Sequence, residues 1–385
     1  MKNLRFCNLI FSIQFVLISA IFLRILVVFF NYLTEANTFI GPDSYGLFHA
    51  AVMLSKEDIS FLIDRKYYLE NFFLFIIPLF LKIIPIKSYS ILSFVSITLW
   101  ILSFIIILKI FKNFKVEKKH QIILLSIYSF WPSVVIFTSV ISREAFQIFF
   151  LILIIYLFLN LIQKLKISNL LFLIFSLIII TFLHKSFFFM SIFILLIIFF
   201  FYFFSKKKLK LNFKYKILVF IFFIFILIFL ITNYSKFGYQ QFIYGLPKAV
   251  EIYQNGLLIS TQLRADLRVY PVNIANYYEL IVYCFIFIRD YFFRPYISEV
   301  IKVSDLLAFF ENMTRIFIIF IVILNLFSYS RKNISPLLIF LIYLVIEFIW
   351  ALGTSNWGTA MRHHSVANSI LIITLGLTLS KKINE

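Results

Sequence analysis

The sequence predicts an all-α fold: a polytopic helical membrane protein with about ten transmembrane helices and two large outer loops. Of the 385 residues, 63% are hydrophobic and 21% are aromatic, whereas only about half of a soluble domain is apolar. Long runs without a charged residue recur along the chain, as membrane-spanning helices require. We therefore expect residues 1–385 to form a single integral membrane domain.

The formal net charge of +19 does not indicate a nucleic-acid partner. Lysines cluster in short runs between apolar segments, which is the pattern of cytoplasmic loops. Lys2 and Arg5 precede an apolar run that continues to Phe30 without a small-residue cleavage site. This pattern predicts an anchor helix and not a signal peptide. Cys7 and Cys284 fall on opposite sides of the membrane in the topology below, so no disulfide is expected.

Ten apolar segments are long enough to cross a bilayer, if tilt and short ends are allowed. An eleventh, at 71–86, is short and contains Pro78, Lys82 and Pro85, so we expect an interfacial or re-entrant element. If it crossed, the next lysine-rich loop would face outward, against the positive-inside rule. Both termini are then cytoplasmic. The predicted spans lie near 9–32, 88–110, 121–141, 145–163, 168–183, 186–204, 217–232, 307–328, 335–352 and 366–380.

This topology puts almost every candidate functional residue on the extracytoplasmic side. The two large outer loops cover about 33–87 and 233–306, and three short turns cover 142–144, 184–185 and 353–365. We expect the functional site to form where these segments meet.

Charged residues mark the first outer loop and two of the short turns. Asp43 lies in "GPDSYG", a predicted turn from which its carboxylate can act as a base, cap the following helix, or do both. Arg143 and Glu144 share one tight turn, and His184 and Lys185 share the next. Charges at a membrane interface are costly unless they pair or bind a ligand. Snorkelling and a local helix-end ion pair are the structural alternatives.

The second large loop contains several arginines, and for most of them a solvated or paired state is an open alternative. Arg264 and Arg268 are spaced i, i+4 and would share one helical face. Two guanidinium groups on one face can hold phosphate oxygens. Arg294, before Pro295 in "FFRPY", is placed on an amphipathic segment near the lipid headgroups.

The stretch "GTSNWGTAMRHHSVANS" near the C-terminus predicts an anion site. Arg362, His363 and His364 fall in the first turns of the last span, where the helix N-terminus adds amide donors and a positive dipole. The structural alternative is a polar interfacial belt anchored by Trp357 next to Asn356. A metal site is disfavoured, because adjacent histidines point to different helix faces and no acidic residue stands at i+3 or i+4.

Two charged residues, Arg24 and Glu347, lie inside predicted spans, both displaced toward the outer end. They could pair with each other or snorkel to the interface. A pathway for ions would usually need more charged groups near the midplane.

Together, "PDSYGLFHAA", "WPSVVIFTSVISREAF", "FFRPYISEV", "LLAFFEN" and "NWGTAMRHHS" resemble bacterial membrane proteins of polysaccharide assembly. The groups that the chain resembles are the O-antigen or capsule repeat-unit polymerases and the related C-type membrane glycosyltransferases. The similarity consists of short motifs spread over most of the chain. It implies sugar transfer from a polyprenyl phosphate or pyrophosphate carrier at the outer face of the bacterial cytoplasmic (inner) membrane.

The resemblance also implies roles for individual residues. Asp43 and Glu144 would be the catalytic carboxylates, and Arg143, Arg294 and Arg362 match basic positions of the family's outer face. "LHKS" stands where relatives often have an arginine and a proline, and the doubled histidine departs from the commoner arginine-rich pattern. The expected phosphate or lipid-carrier ligands are Arg143, Arg264, Arg268, Arg294, Arg362, His363 and His364. The expected substrate-binding residues are His49, His184, Lys185 and Asn356.

The leading hypothesis is a polymerase that joins lipid-linked repeat units of a lipopolysaccharide or capsule and releases undecaprenyl pyrophosphate. Its partners would be a glycan donor and acceptor on undecaprenyl-(pyro)phosphate, membrane lipids and a chain-length regulator. The leaving pyrophosphate is a stable anion and needs no general acid, so such a site needs one carboxylate to activate an acceptor hydroxyl and cations to hold phosphate. No cofactor is expected, and a divalent metal stays open. The alternatives are transfer of one sugar from a polyprenyl monophosphate to a lipid-linked acceptor, and a non-enzymatic lipid-glycan flippase.

Overall fold

The computed structural model describes residues 12–34, 42–64, 72–83, 88–164, 166–204, 245–260, 272–328 and 334–380. For residues 34, 42–45, 201–204, 253, 256–260 and 328 it describes the backbone alone. The regular secondary structure in these ranges is helical. The helices are α1 (Ile13–Thr34), α2 (Pro42–Leu54), α3 (Ile59–Asp64), α4 (Phe73–Ile83), α5 (Tyr89–Asn113), α6 (Lys118–Phe130), α7 (Pro132–Thr138), α8 (Arg143–Gln163), α9 (Ile167–Leu183), α10 (Phe187–Phe204), α11 (Leu246–Ser260), α12 (Tyr277–Phe293), α13 (Val303–Ser328), α14 (Ser335–Gly353) and α15 (Trp357–Thr378).

The all-helical, membrane-spanning class is confirmed. In the described part of the chain, five helices are long and apolar enough to cross a membrane: α1, α5, α8, α13 and α14. The bent pair α6 and α7 forms a sixth candidate, and α4, α9 and α10 are shorter apolar helices. Ten spans and two large outer loops are not confirmed, and the predicted span at 217–232 lies outside the described residues. Helix α15 falls outside the candidate set because its first turns are polar.

The doubtful segment at 71–86 contains α4, which has 11 residues. A helix of that length extends about 16 Å, well short of the roughly 30 Å hydrocarbon core. Its buried side chains Phe73 and Ile77 pack with Phe48 and Ala51 of α2. The length of α4 therefore agrees with an element that does not cross as a straight helix.

Helix α15 is the centre of the bundle. Every residue from His364 to Thr378 is buried, and α15 contacts α5, α6, α7, α8, α13 and α14. It runs parallel to α13: Trp357 Nε1 lies 3.4 Å from Asp305 Oδ1 at one end, and Asn325 donates to Thr378 over 3.4 Å at the other. A site built on the first turns of α15 is thus held by most of the bundle.

The predicted span at 121–141 is broken, because α6 and α7 meet at a 60° bend at Trp131 and Pro132. Proline has no N–H and its ring clashes with the preceding turn, so the helix breaks here. The bend separates the Ser129 carbonyl from the Ser133 N–H, which would be hydrogen-bonded to each other in an unbroken helix. The Ser129 carbonyl accepts from Arg24 Nη1 over 3.1 Å. The Ser133 N–H donates to Glu311 Oε1 over 2.6 Å. Two charged side chains from other helices thus replace the missing helical bonds.

The possible Arg24–Glu347 pair does not form. Arg24 is fully buried, and its Nε donates to Thr138 Oγ1 over 2.8 Å. Its guanidinium carbon lies 3.6 Å from the centre of the Trp100 ring. Glu347 is instead bound to His364. The requirements of the broken helix, and not charge attraction between the two spans, determine where Arg24 lies.

We predict that Gly376→Ala destabilises the protein. A Cβ added at Gly376 would lie 2.3 Å from Cε1 of Phe111, a fully buried ring of α5, and such overpacking costs about 1–3 kcal/mol. Equilibrium unfolding by denaturing detergent measures the loss. Gly46→Ala is the control, because nothing lies within 4 Å of its added Cβ. Equal stability of Gly376→Ala and the wild type would contradict the packing of α15 on α5.

Candidate functional site

Three helix connections meet at one end of the bundle. They are residues 139–142 before α8, residues 184–186 between α9 and α10, and residues 354–356 between α14 and α15. Side chains from all three connections or the adjoining helix ends contact one another. We call this group the three-turn cluster. Its members are Arg143, Glu144, His184, Ser186, Trp350, Thr354, Arg362 and His363.

The Glu144–Arg362 ion pair joins the start of α8 to α15. Arg362 Nη2 lies 2.8 Å and its Nε 3.1 Å from Glu144 Oε1. Glu144 is 4% exposed, so its charge must be compensated within the protein. Both bonds use the same carboxylate oxygen, and the buried Oε2 has no hydrogen-bond partner among the described residues. Glu144 is therefore fixed by one oxygen while its other oxygen can still accept a hydrogen bond.

Arg143 makes no hydrogen bond or ion pair within the described chain, and its Nε atom is buried. Its positive charge acts on both Glu144 and His184. With Arg362 and the exposed Lys185 nearby, the positive charges of the described residues here outnumber the one described carboxylate, that of Glu144. The cluster is therefore suited to bind an anion.

His184 is neutral and carries its proton on Nε2. Trp350 Nε1–H donates to Ser186 Oγ over 2.7 Å, and an indole nitrogen can only donate. The Ser186 backbone N–H donates to His184 Nδ1 over 3.3 Å, so Nδ1 is an acceptor. The Ser186 hydroxyl, 2.6 Å from the same atom, therefore also donates to it. Burial, and next the charge of Arg143, lower the pKa of His184 to about 3. At neutral pH this ring can donate from Nε2 and has no free basic nitrogen.

The adjacent histidines of α15 belong to different environments, as expected for neighbouring residues on a helix. The His363 ring stacks on Trp350 at a centroid distance of 4.8 Å and meets the His184 ring edge-on at 5.4 Å. Its Nδ1 lies 3.0 Å from Thr354 Oγ1. His363 is thus part of the three-turn cluster.

His364 is turned into the bundle interior, away from the predicted phosphate site. It is 0% exposed. Its Nδ1 contacts the Glu347 carboxylate, and its Nε2 lies 3.1 Å from the Tyr291 carbonyl oxygen. Both ring nitrogens are occupied, so we no longer assign His364 to the phosphate ligands.

Other predicted residues are also engaged within the protein. Asn356 is the N-cap of α15, and its Oδ1 accepts from the Thr359 N–H over 2.7 Å. That oxygen caps the helix, and the expected substrate contact of Asn356 stays a prediction. Arg294 lies 3.2 Å from Glu299, at the end of α12 and apart from the contacts that define the cluster.

The remaining predictions fall beside the cluster or outside the description. His49 is exposed on α2, with its ring edge-on to that of Phe48 at 5.5 Å. Asp43 is the second residue of α2, but its side chain lies outside the description. Arg264 and Arg268 lie outside it entirely. The roles expected for these four residues therefore stay predictions.

Ser186, Trp350 and Thr354 were missed by sequence reasoning. Ser186 belongs to the "LHKS" turn, and Trp350 ends a span, where an aromatic residue usually indicates an interfacial anchor. The indole N–H of Trp350 can only donate, and its place in the cluster becomes clear only when its acceptor, Ser186, is known. Among the described residues there is no group of three or more His, Cys, Asp or Glu side chains that could hold a metal ion.

The fold and the cluster define an all-helical protein with several membrane-length helices and a cationic, histidine-containing site at one end. Comparisons with protein families, with curated proteins and with solved structures found no match. Arguments about function therefore rest on the chemistry of the site and on the sequence motifs.

We predict strong energetic coupling between Glu144 and Arg362. Removing one partner of a buried ion pair costs about 3–5 kcal/mol, because the other charge is left uncompensated. The double variant Glu144→Gln/Arg362→Gln should therefore lose less stability than the sum of the two single variants. Unfolding by denaturing detergent measures all four proteins of the cycle.

The Lys248–Glu251 pair on α11 is the control, because its lysine side chain is 52% exposed, whereas the glutamate is 12% exposed. Solvent weakens a pair that has one exposed partner, so Lys248→Gln and Glu251→Gln should couple more weakly than Glu144→Gln and Arg362→Gln. Additive losses at Glu144 and Arg362 would contradict the ion pair.

Proposed function

We propose that the protein is a membrane glycosyltransferase that joins lipid-linked oligosaccharide repeat units of a bacterial surface polysaccharide. The observation that carries the proposal is Arg143, a partly buried guanidinium that makes no hydrogen bond or ion pair with another described residue, beside the fixed Glu144–Arg362 pair. Arg143 and Arg362 together can bind a pyrophosphate. The neighbouring carboxylate of Glu144 can accept a proton. The sequence motifs that resemble repeat-unit polymerases support the same chemistry.

The reaction needs both kinds of group. The hydroxyl oxygen of the acceptor glycan forms a bond with the anomeric carbon of the donor. The bond between that carbon and the carrier pyrophosphate breaks, and its electron pair leaves with undecaprenyl pyrophosphate. The hydroxyl proton passes to a carboxylate. Cations that hold the leaving pyrophosphate stabilise the charge that develops in the transition state.

The contacts within the cluster suggest separate tasks for its residues. Arg143 binds the pyrophosphate, because no hydrogen bond to another described residue has to be broken first. Arg362 holds Glu144 by Oε1, which leaves Oε2 to accept the proton of the acceptor hydroxyl. The His184 ring is neutral and carries its hydrogen on Nε2, from which it donates a hydrogen bond to substrate oxygens. Asp43 stays a prediction as a second catalytic carboxylate.

The orientation of the site is part of the proposal. The distribution of lysines between spans favours cytoplasmic termini, with the cluster facing the exterior of the inner membrane. The donor and acceptor would both be glycans on undecaprenyl-(pyro)phosphate. A protein that regulates chain length is a further expected partner.

We predict that a strain without this protein makes surface polysaccharide with a single repeat unit. Complementation with Arg143→Gln should leave that defect, because loss of a transition-state cation lowers the rate by about 100-fold or more. Arg143→Lys should restore part of the chain length. Gel profiles of lipopolysaccharide or capsule, together with the amount of protein in membranes, measure both.

The control is Lys112→Gln, an exposed cation in the last turn of α5, which should complement fully. If the deletion strain made incomplete repeat units, the activity would be transfer of a single sugar and not polymerisation. Unchanged glycan in that strain would reject both activities. Full complementation by Arg143→Gln would show that Arg143 does not bind the pyrophosphate.

A further inference from the structure

A second polar cluster lies in the bundle interior, between α12, α13, α14 and α15. Each of its side chains is at most 4% exposed, and none has a part in the proposed transfer reaction. We call it the interior cluster. Its members are Tyr291, Glu311, Arg315, Tyr343, Glu347 and His364.

The hydrogen bonds of His364 determine where its protons are. Its Nε2 lies 3.1 Å from the Tyr291 carbonyl oxygen, and a carbonyl can only accept. Nε2 therefore carries a hydrogen. Its Nδ1 lies 3.1 Å from Oε1 and 2.9 Å from Oε2 of Glu347.

A hydrogen must lie between Nδ1 and the carboxylate, because two lone pairs would otherwise face each other at this distance. It sits either on Nδ1, which gives an imidazolium and a carboxylate, or on Glu347, which gives two neutral groups. Both forms hold the same number of protons. The pair therefore binds one proton more than a neutral histidine and an ionised glutamate would.

The groups that face this pair come from α12, α13 and α14. Arg315 of α13 is a cation whose charge acts on both Glu347 and His364. Glu311, one turn earlier on α13, accepts from the Ser133 N–H. The phenols of Tyr291 and Tyr343 are the other titratable groups that face Glu347.

We propose that Glu347 and His364 form a proton-binding site that holds the first turns of α15 against α12 and α14. His364 follows Arg362 and His363 directly in the chain, so the same helical turn joins this site to the three-turn cluster. Loss of the proton would repel His364 from Glu347 and displace the turn that carries Arg362. The proposal does not depend on the proposed transfer reaction.

The test is the folding equilibrium of the full-length protein in mixed micelles, measured by denaturing-detergent titration from pH 7 to pH 9. In the unfolded chain at these pH values, histidine is neutral and glutamate is ionised. The native state then binds one more proton, so the wild-type folding constant should fall about tenfold per pH unit relative to Glu347→Gln. In that variant an amide N–H can donate to Nδ1, and no extra proton is needed.

Glu57→Gln is the control, because Glu57 is exposed in the turn after α2. Its curve should stay parallel to that of the wild type. If Glu347→Gln does not fold, Glu347→Leu/His364→Leu replaces it, since an apolar pair also binds no proton. Parallel curves for the wild type and either replacement would overturn the proposal, whatever the outcome of the glycan experiments.

Discussion

The break at Pro132 is the constraint on which the arrangement of the bundle depends. A helix that stops inside an apolar bundle exposes backbone groups that water cannot reach, and each must find a partner. Arg24 and Glu311 fill that need at Ser129 and Ser133. Because these partners come from α1 and α13, the break ties two distant segments of the chain to the same point.

The break also positions both polar clusters. The chain leaves α7 through residues 139–142 and enters α8 at Arg143 and Glu144, where Arg362 binds. On the other side, Glu311 shares α13 with Arg315, whose charge acts on Glu347. Helix α15 connects the two clusters, since its first turns contribute Arg362 and His363 to one and His364 to the other. A substitution at the break should therefore alter the positions of side chains in both clusters.

Much of the fold could be predicted from sequence, because apolar runs directly reflect membrane length. The boundaries of α1, α5, α8, α13 and α14 agree with predicted spans to within a few residues. The bend at Pro132 was not predicted, since one proline hardly changes the hydropathy averaged over residues 121–141. The short polar turns contain members of the three-turn cluster, which polar residues in an apolar chain make visible in the sequence.

Partner identities were harder to predict, because they depend on the rotation of each helix about its axis. Arg24 and Glu347 have opposite charges, yet each is bound elsewhere. His363 and His364 are neighbours in sequence but serve different clusters, as helical geometry requires. Ser186 and Trp350 come together from positions 164 residues apart, and nothing local to either position indicates this contact.

The central proposal is that the three-turn cluster binds the pyrophosphate of a lipid carrier. A cryo-EM structure of the full-length protein in nanodiscs with undecaprenyl pyrophosphate tests this most directly. We expect the phosphate oxygens within hydrogen-bonding distance of Arg143, with the Glu144–Arg362 pair still formed. Pyrophosphate bound elsewhere while Arg143 stays without a phosphate contact would contradict the account.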